Sequence, residues 1–128
     1  MESTLSPCSI EVTPVARYVP EQSAPDENRH VFAYQITIRN TGSKRAKLLS
    51  RHWTITDATG GVEEVEGEGV VGEQPDLAPG ESFQYTSGCA LATPFGSMQG
   101  VYRFVSEDGT EFTAAIPEFF LVGPRTLH

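Results

Sequence analysis

At 128 residues, 38% hydrophobic, with seven Phe, four Tyr and one Trp, the chain suits one globular domain spanning residues 1–128 and is too apolar to stay disordered. Its net charge is −8, and no Lys or Arg falls between Arg51 and Arg103, where Asp57, Glu63, Glu64, Glu66, Glu68, Glu73, Asp76 and Glu81 accumulate; this excludes nucleic acid and anionic membranes, whose binding rests on clustered cations. The N-terminus has neither a basic start nor an apolar run, and no segment approaches the ~20 apolar residues of a membrane span, so a cytoplasmic location with Cys8 and Cys89 as free thiols is expected.

The predicted elements are strands. Ile10, Val12, Val15 and Ala16 mark the first, in which Pro14 calls for an edge position or a bulge because proline donates no ladder hydrogen bond. Residues 31–39 give the clearest alternation, with Phe32, Tyr34, Ile36 and Ile38 on one face and Gln35, Thr37 and Arg39 on the other, ending at the turn cluster Asn40-Thr-Gly42-Ser43. Residues 43–50 contain good helix formers, but eight residues are too short for a helix without strong packing. Trp53 and Ile55 then alternate with Thr54 and Thr56, which places Trp53 in the core, His52 outward and Arg51 at the core rim beside a carboxylate. Pro79 and Gly80 set a turn before the strand of Phe83 and Tyr85. Residues 101–105 and 112–116 flank Ser106-Glu-Asp108-Gly109-Thr, a hairpin signal. About seven strands with no crossover helix predict an all-β fold, an antiparallel β-sandwich whose inward residues are Phe32, Tyr34, Ile36, Ile38, Trp53, Ile55, Phe83 and Tyr85.

Gly67, Gly69 and Gly72 form a GxGxxG string at dinucleotide-loop spacing. A phosphate loop needs a helix opening on its third glycine, and Pro75 and Pro79 forbid one here. Nearby Glu66, Glu68 and Glu73 would each oppose a phosphate about 6 Å away by ~2–3 kcal/mol at an effective dielectric near 20. The three glycines are therefore read as a β connection rather than a cofactor site. Glu64, Glu66 and Glu68 share one side of an extended segment, about 7 Å apart, a row that condenses metal ions loosely without converging on one. His30, His52 and His128 show no metal-ligand spacing, and no catalytic triad or nucleophile elbow surrounds Thr86-Ser87-Gly88-Cys89.

The ordered series Arg51-His-Trp53 with Asp57, Val65 through Pro75, Leu77-x-Pro-Gly80, Tyr85-Thr-Ser-Gly88, Thr93-Pro-Phe-Gly-Ser-Met-Gln-Gly100-x-Tyr102, Ile116-Pro117 and Leu127-His128 is similar to the ApaG family, also called CorD, over nearly the whole chain. That resemblance implies a fibronectin type III-like sandwich and brings no catalytic residues and no cofactor. Bacterial members stand alone, often encoded beside a diadenosine-tetraphosphate hydrolase, and similar eukaryotic domains are attached to F-box proteins and to a polymerase-interacting protein. The distribution implies a non-enzymatic protein-interaction module. The second family name implies the alternative of a regulator linked to cobalt resistance and magnesium efflux, and the gene neighbourhood that of a nucleotide polyphosphate binder.

A protein partner needs a surface. Residues 67–80 and 93–100, rich in Gly and Pro, are predicted as exposed connections, since burying them would strand backbone polar groups. They carry Val70, Val71, Phe95 and Met98. At least Phe95 or Met98 is expected to stay partly exposed as the apolar centre of a docking patch, with Glu68 and Glu73 as an acidic rim.

Overall fold

The computed structural model describes residues 6–124. Its elements in chain order are β1 (Ile10–Tyr18), two single 3₁₀ turns, β2 (His30–Asn40), β3 (Ala46–Asp57), β4 (Val62–Glu68), the two-residue β5 (Asp76–Leu77), β6 (Ser82–Leu91), β7 (Phe95–Ser106) and β8 (Glu111–Val122). No α-helix occurs among the described residues. The strands form two antiparallel sheets, one in the order β1-β2-β6 and one in the order β4-β3-β7-β8, with β5 pairing β3 beyond the end of β4. The expected β-sandwich is the fold.

Period-two patterning builds it. In β2, Phe32, Tyr34, Ile36 and Ile38 all point into the core, while Gln35 and Arg39 are exposed on the opposite face. They meet Trp53 and Ile55 of β3, Tyr102 and Phe104 of β7, and Ile116, Phe119 and Leu121 of β8 in one continuous cluster. Trp53 lies at its centre, its ring edge-on to Tyr34 and Phe119 at centroid distances of 5.4 and 5.9 Å. Tyr85 is buried as expected, whereas Phe83 is half-buried at the margin. Pro14 sits on β1, an edge strand, where its missing N–H costs no interior ladder bond.

Turn chemistry holds where the residue types demand it. Gly80 has φ +87° and Glu81 N–H donates to the Ala78 carbonyl at 2.9 Å, closing the Pro79-Gly80 turn. The β7–β8 hairpin closes through Gly109 at φ +87°, as its Asp-Gly signal predicts.

The helix formers of residues 43–50, too few for a helix, run into β3, because Ala46 and Leu48 alternate into the core around exposed Lys47. The exposed connections expected over residues 67–80 and 93–100 are corrected. Residues 95–100 are the first half of β7 rather than a surface connection, paired on both sides to β3 and β8. Gly67 and Glu68 likewise belong to β4. Over residues 96–100 the ladders to β3 and β8 satisfy backbone groups that a loop would have to expose.

Candidate functional site

The glycine string folds into the end of β4 and a tight turn. Gly67 lies opposite Arg51, and a Cβ on it would sit 2.8 Å from the Arg51 guanidinium, so glycine makes room for that side chain. Arg51 shares the inward phase of Trp53 and donates through Nη1 to the carbonyls of Glu68 and Gly69 at 3.0 and 2.9 Å. It thus holds backbone rather than the expected carboxylate, satisfying two acceptors that the end of the ladder would otherwise leave open. Val70 and Glu73 exchange two backbone hydrogen bonds across a turn whose central residues, Val71 and Gly72, have φ +44° and +82°. No helix follows Gly72, and the Gly69 and Val70 amides are already given to the Leu49 and Glu73 carbonyls. A phosphate would have to displace both bonds.

Val71 is the strained member of that turn. A β-branched residue in the left-handed region costs about 1–2 kcal/mol relative to its ordinary backbone conformation. Val71→Asn, which tolerates positive φ, is expected to stabilise the fold by about 1 kcal/mol in chemical denaturation. An unchanged or lowered midpoint would show that the turn carries no such strain.

On the outer face of the larger sheet, Glu64, Glu66 and Glu68 stand opposite Thr54, His52 and Ser50. His52 faces outward as predicted and lies between two of these carboxylates, with Nε2 3.1 Å from Glu64 Oε1 and Nδ1 3.2 Å from Glu66 Oε1. A shallow cleft of about 600 Å³ runs beside them, lined by Arg51, His52, Glu66, Val101, Arg103 and Thr113. Its cations are engaged: Arg51 on backbone, and Arg103 with Glu111 at 2.6 Å and with Ser50 Oγ. No group of three or more His, Cys, Asp or Glu is arranged to hold a metal among the described residues. His30 is buried on β2, in the other sheet from His52, and His128 lies outside the described residues.

Nucleophile chemistry finds no support in the burial pattern. Burial pushes the Cys89 thiol up to about 11, with the Glu63 carboxylate adding to the effect, so the reactive thiolate is suppressed. The Cys89 Sγ packs 3.8 Å from the Met98 sulfur, and Cys8 and Cys89 are both free.

Three tyrosines, Tyr34, Tyr85 and Tyr102, lie in the core. Tyr85 and Tyr102 hydroxyls hydrogen-bond to each other. Burial lifts Tyr85 to about 12, Tyr102 higher still, and Tyr34 in the same direction. The unfolded chain ionises its tyrosines near pH 10. Stability from these groups is therefore complete below about pH 10 and is lost as the pH rises toward about 12 and beyond. Replacing both Tyr85 and Tyr102 with Phe should flatten the alkaline slope of the unfolding free energy, and an unaltered slope would remove these hydroxyls from the account.

The predicted docking residues are not one patch. Val70 and Met98 are 0% and 1% exposed and belong to the core, so their place on a contact surface is withdrawn: the Val70–Glu73 bonds tuck Val70 inward, and the phase of β7 carries Met98 in with Tyr102 and Phe104. Val71 and Phe95 are both 54% exposed, and Glu68 and Glu73 are exposed too. Yet Glu68 pairs with Ser50 and Gly96 with Asp57, which separates the acidic turn from Phe95 by seven residues of β3, about 23 Å.

Phe95 instead has apolar neighbours that sequence reasoning missed. It pairs directly with Val122 of β8, and Phe120 pairs with Ser97 two positions along. Phe120 and Val122 are 66% and 59% exposed, and with Pro94, Gly96, Gly123 and Pro124 they line an apolar depression of about 500 Å³. Strict alternation from Ala114 and Ile116 would have put Phe120 and Val122 inside; the inward phase instead shifts across Pro117 and Glu118 to Phe119 and Leu121, opposite the register shift between Met98 and Gly100, and leaves Phe120 and Val122 outside.

A family model described as the ApaG domain matches residues 20–106. Protein ApaG of Dechloromonas aromatica is 59% identical over 119 residues, covering 93% of this chain and 94% of that protein. Protein ApaG of Bordetella pertussis is 54% identical over 127 residues, covering 99% and 97%. The chain belongs to the ApaG family. A crystal structure described as that of an ApaA protein from Bordetella pertussis has the same architecture, with a TM-score of 0.92 at 54% identity over 95% of this chain and 99% of that one. These ApaG relatives are named for the family alone, and no reaction is part of their names. The ApaG domain match spans the glycine turn, β3 and the first strand of the Phe95 pair, and ends at Ser106 before β8. No helix among the described residues is long and apolar enough to cross a membrane.

Proposed function

We propose that this ApaG protein is a non-enzymatic interaction module and that the end of its larger sheet, at Phe95, Phe120 and Val122, receives an apolar anchor of a protein partner. The observation that carries the reading is the contiguity of these three side chains, each more than half exposed on adjacent strands. Single exposed apolar groups are ordinary on protein surfaces, but a cluster on a rigid sheet end is the form of an interface centre. Aromatic residues at such centres carry a large share of the binding energy. A suppressed thiol, a glycine turn with its amides engaged and the absence of a converging ligand set among the described residues support a role without chemistry.

The test places a photo-crosslinking residue at position 120 in the cell, identifies the partner, and compares Phe95→Ser/Phe120→Ser with the natural chain. Partner affinity should fall at least 30-fold, about 2 kcal/mol, while the melting temperature stays within a few degrees, since both side chains are exposed. Unchanged affinity would remove the interface from this end of the sheet.

A further inference from the structure

We propose that the free edge of β4 binds an extended peptide segment whose basic and apolar residues alternate, adding a strand to the larger sheet. This site lies on the opposite edge of that sheet from β8, so its test stands whether or not the Phe95 surface is an interface.

The register of β4 decides which backbone groups are free. At one end of the β3–β4 ladder Asp57 N–H donates to the Gly61 carbonyl, and at the other Gly69 N–H donates to the Leu49 carbonyl, both at 2.9 Å. Between them the pairing runs without a shift from Thr56↔Val62 to Ser50↔Glu68. In an antiparallel ladder, hydrogen-bonded and non-hydrogen-bonded pairs alternate, so the bonded residues are the odd-numbered Glu63, Val65 and Gly67. Val62, Glu64, Glu66 and Glu68 therefore turn their N–H and C=O groups away from β3. Four donors and the carbonyls of Val62, Glu64 and Glu66 lie along one exposed edge, the Glu68 carbonyl being held by Arg51; like the edge strand β6 it has no proline, whereas edge strands β1 and β8 are interrupted by Pro14 and Pro117.

The same parity sets the side-chain chemistry. Glu64, Glu66 and Glu68, the residues with free backbone groups, project to the outer face of the sheet. His52 reaches one oxygen of Glu64 and one of Glu66 from the β3 side, yet those side chains remain 62% and 72% exposed. A second copy of the chain would bring carboxylates against carboxylates, so like charge opposes self-pairing. A strand with Lys or Arg at every second position instead sets one cation opposite each glutamate, at the cross-strand distance where opposite charges attract. Its intervening residues would turn to the inner face, toward Val65 and the shallow groove between β4 and β6, where Ile55, Ala90 and Leu91 offer apolar contact and Asp57 and Glu63 form an acidic margin. Edge hydrogen bonds supply attachment and the alternate glutamates supply selectivity, the division of labour of strand addition.

The experiment titrates the protein with a lysine–valine alternating hexapeptide, with a block peptide of the same composition, and with a glutamate–valine alternating hexapeptide. Amide hydrogen exchange is read residue by residue. With the first peptide, exchange at Glu64 and Glu66 should slow at least 10-fold while Glu63 and Val65, already bonded to β3, change little. The other two peptides should leave exchange unchanged. Equal protection by the block peptide, or binding without protection of those amides, would reduce the site to general charge attraction and overturn the proposal. Protection of the same amides without peptide, rising with protein concentration, would assign the edge to a second copy and overturn it as well. Glu66→Pro removes an outward N–H without removing a β3 bond and should weaken binding at least 10-fold. Glu64→Gln/Glu66→Gln, which keeps the backbone intact, should do so too and lose most of the salt dependence; wild-type affinity in the double Gln variant would refute the role of the carboxylates.

Discussion

Replacing Trp53 with alanine should cost about 3–5 kcal/mol of unfolding free energy and lower the melting temperature by roughly 10–20 °C. Trp53 is 3% exposed and fills the space between the sheets, edge-on to Tyr34, Phe119 and Tyr102 at 5.4, 5.9 and 6.3 Å. Its removal forfeits the transfer energy of an indole and leaves a cavity that two hydrogen-bonded sheets cannot close around, because their spacing is set by every other core pair. Three edge-on aromatic contacts go with it, each worth ~0.5–1.5 kcal/mol beyond area burial. Against a typical domain stability of about 5–15 kcal/mol, this is a large fraction of the total. Trp53→Phe should recover part of the loss. Equilibrium denaturation is the measurement, and a cost below about 1.5 kcal/mol for the alanine variant would contradict the central position of the indole.

Asn40→Ala is expected to cost about 2–4 kcal/mol even though it removes little apolar surface. Asn40 is 1% exposed, and its side chain makes three hydrogen bonds: Nδ2 donates to the Lys44 and Leu77 carbonyls at 2.8 and 2.9 Å, and Oδ1 accepts from Gly42 N–H at 2.9 Å. It ties the β2–β3 turn to β5, while its backbone pairs with Glu81 and Gly80 across the next turn. Alanine leaves buried carbonyls and an amide unsatisfied, and desolvation without replacement is the costly side of hydrogen bonding. Asn40→Asp keeps the shape but sets a carboxylate against two carbonyl oxygens. Its folded-state pKa would then lie above the unfolded value near 4, so the variant should be least stable at neutral pH and recover as the pH falls. A destabilisation independent of pH would show that the aspartate escapes those carbonyls.

Much of the fold was legible because its signal is local. The alternation of Phe32, Tyr34, Ile36 and Ile38 assigns the buried face of β2, and Trp53 and Ile55 assign that of β3, since a strand that buries one face allows one register. The Pro79-Gly80 and Asp108-Gly109 turns were legible for the same reason: positive φ selects glycine whatever surrounds it. The glycine string was rightly read as backbone geometry from the prolines that follow it.

What the residues could not reveal depends on which strands lie side by side. Phe95 and Phe120 are 25 positions apart and become one surface through the β7–β8 register, while Val71 and Phe95, read as one patch, are divided by the length of β3. Met98 and Val70 looked like loop residues until pairing carried one into the core on β7 and turn closure tucked in the other. Arg51 illustrates the limit most directly, for its inward phase follows from alternation, but its partners are two carbonyls that exist as acceptors only because the β4 ladder ends there. Sequence alone therefore determined the family, the strand content and the core-facing residues, since period and turn chemistry act over a few residues. Tertiary structure decided the shape of the exposed surface and which strands become sheet edges, because both arise from contacts between strands that the chain order leaves free.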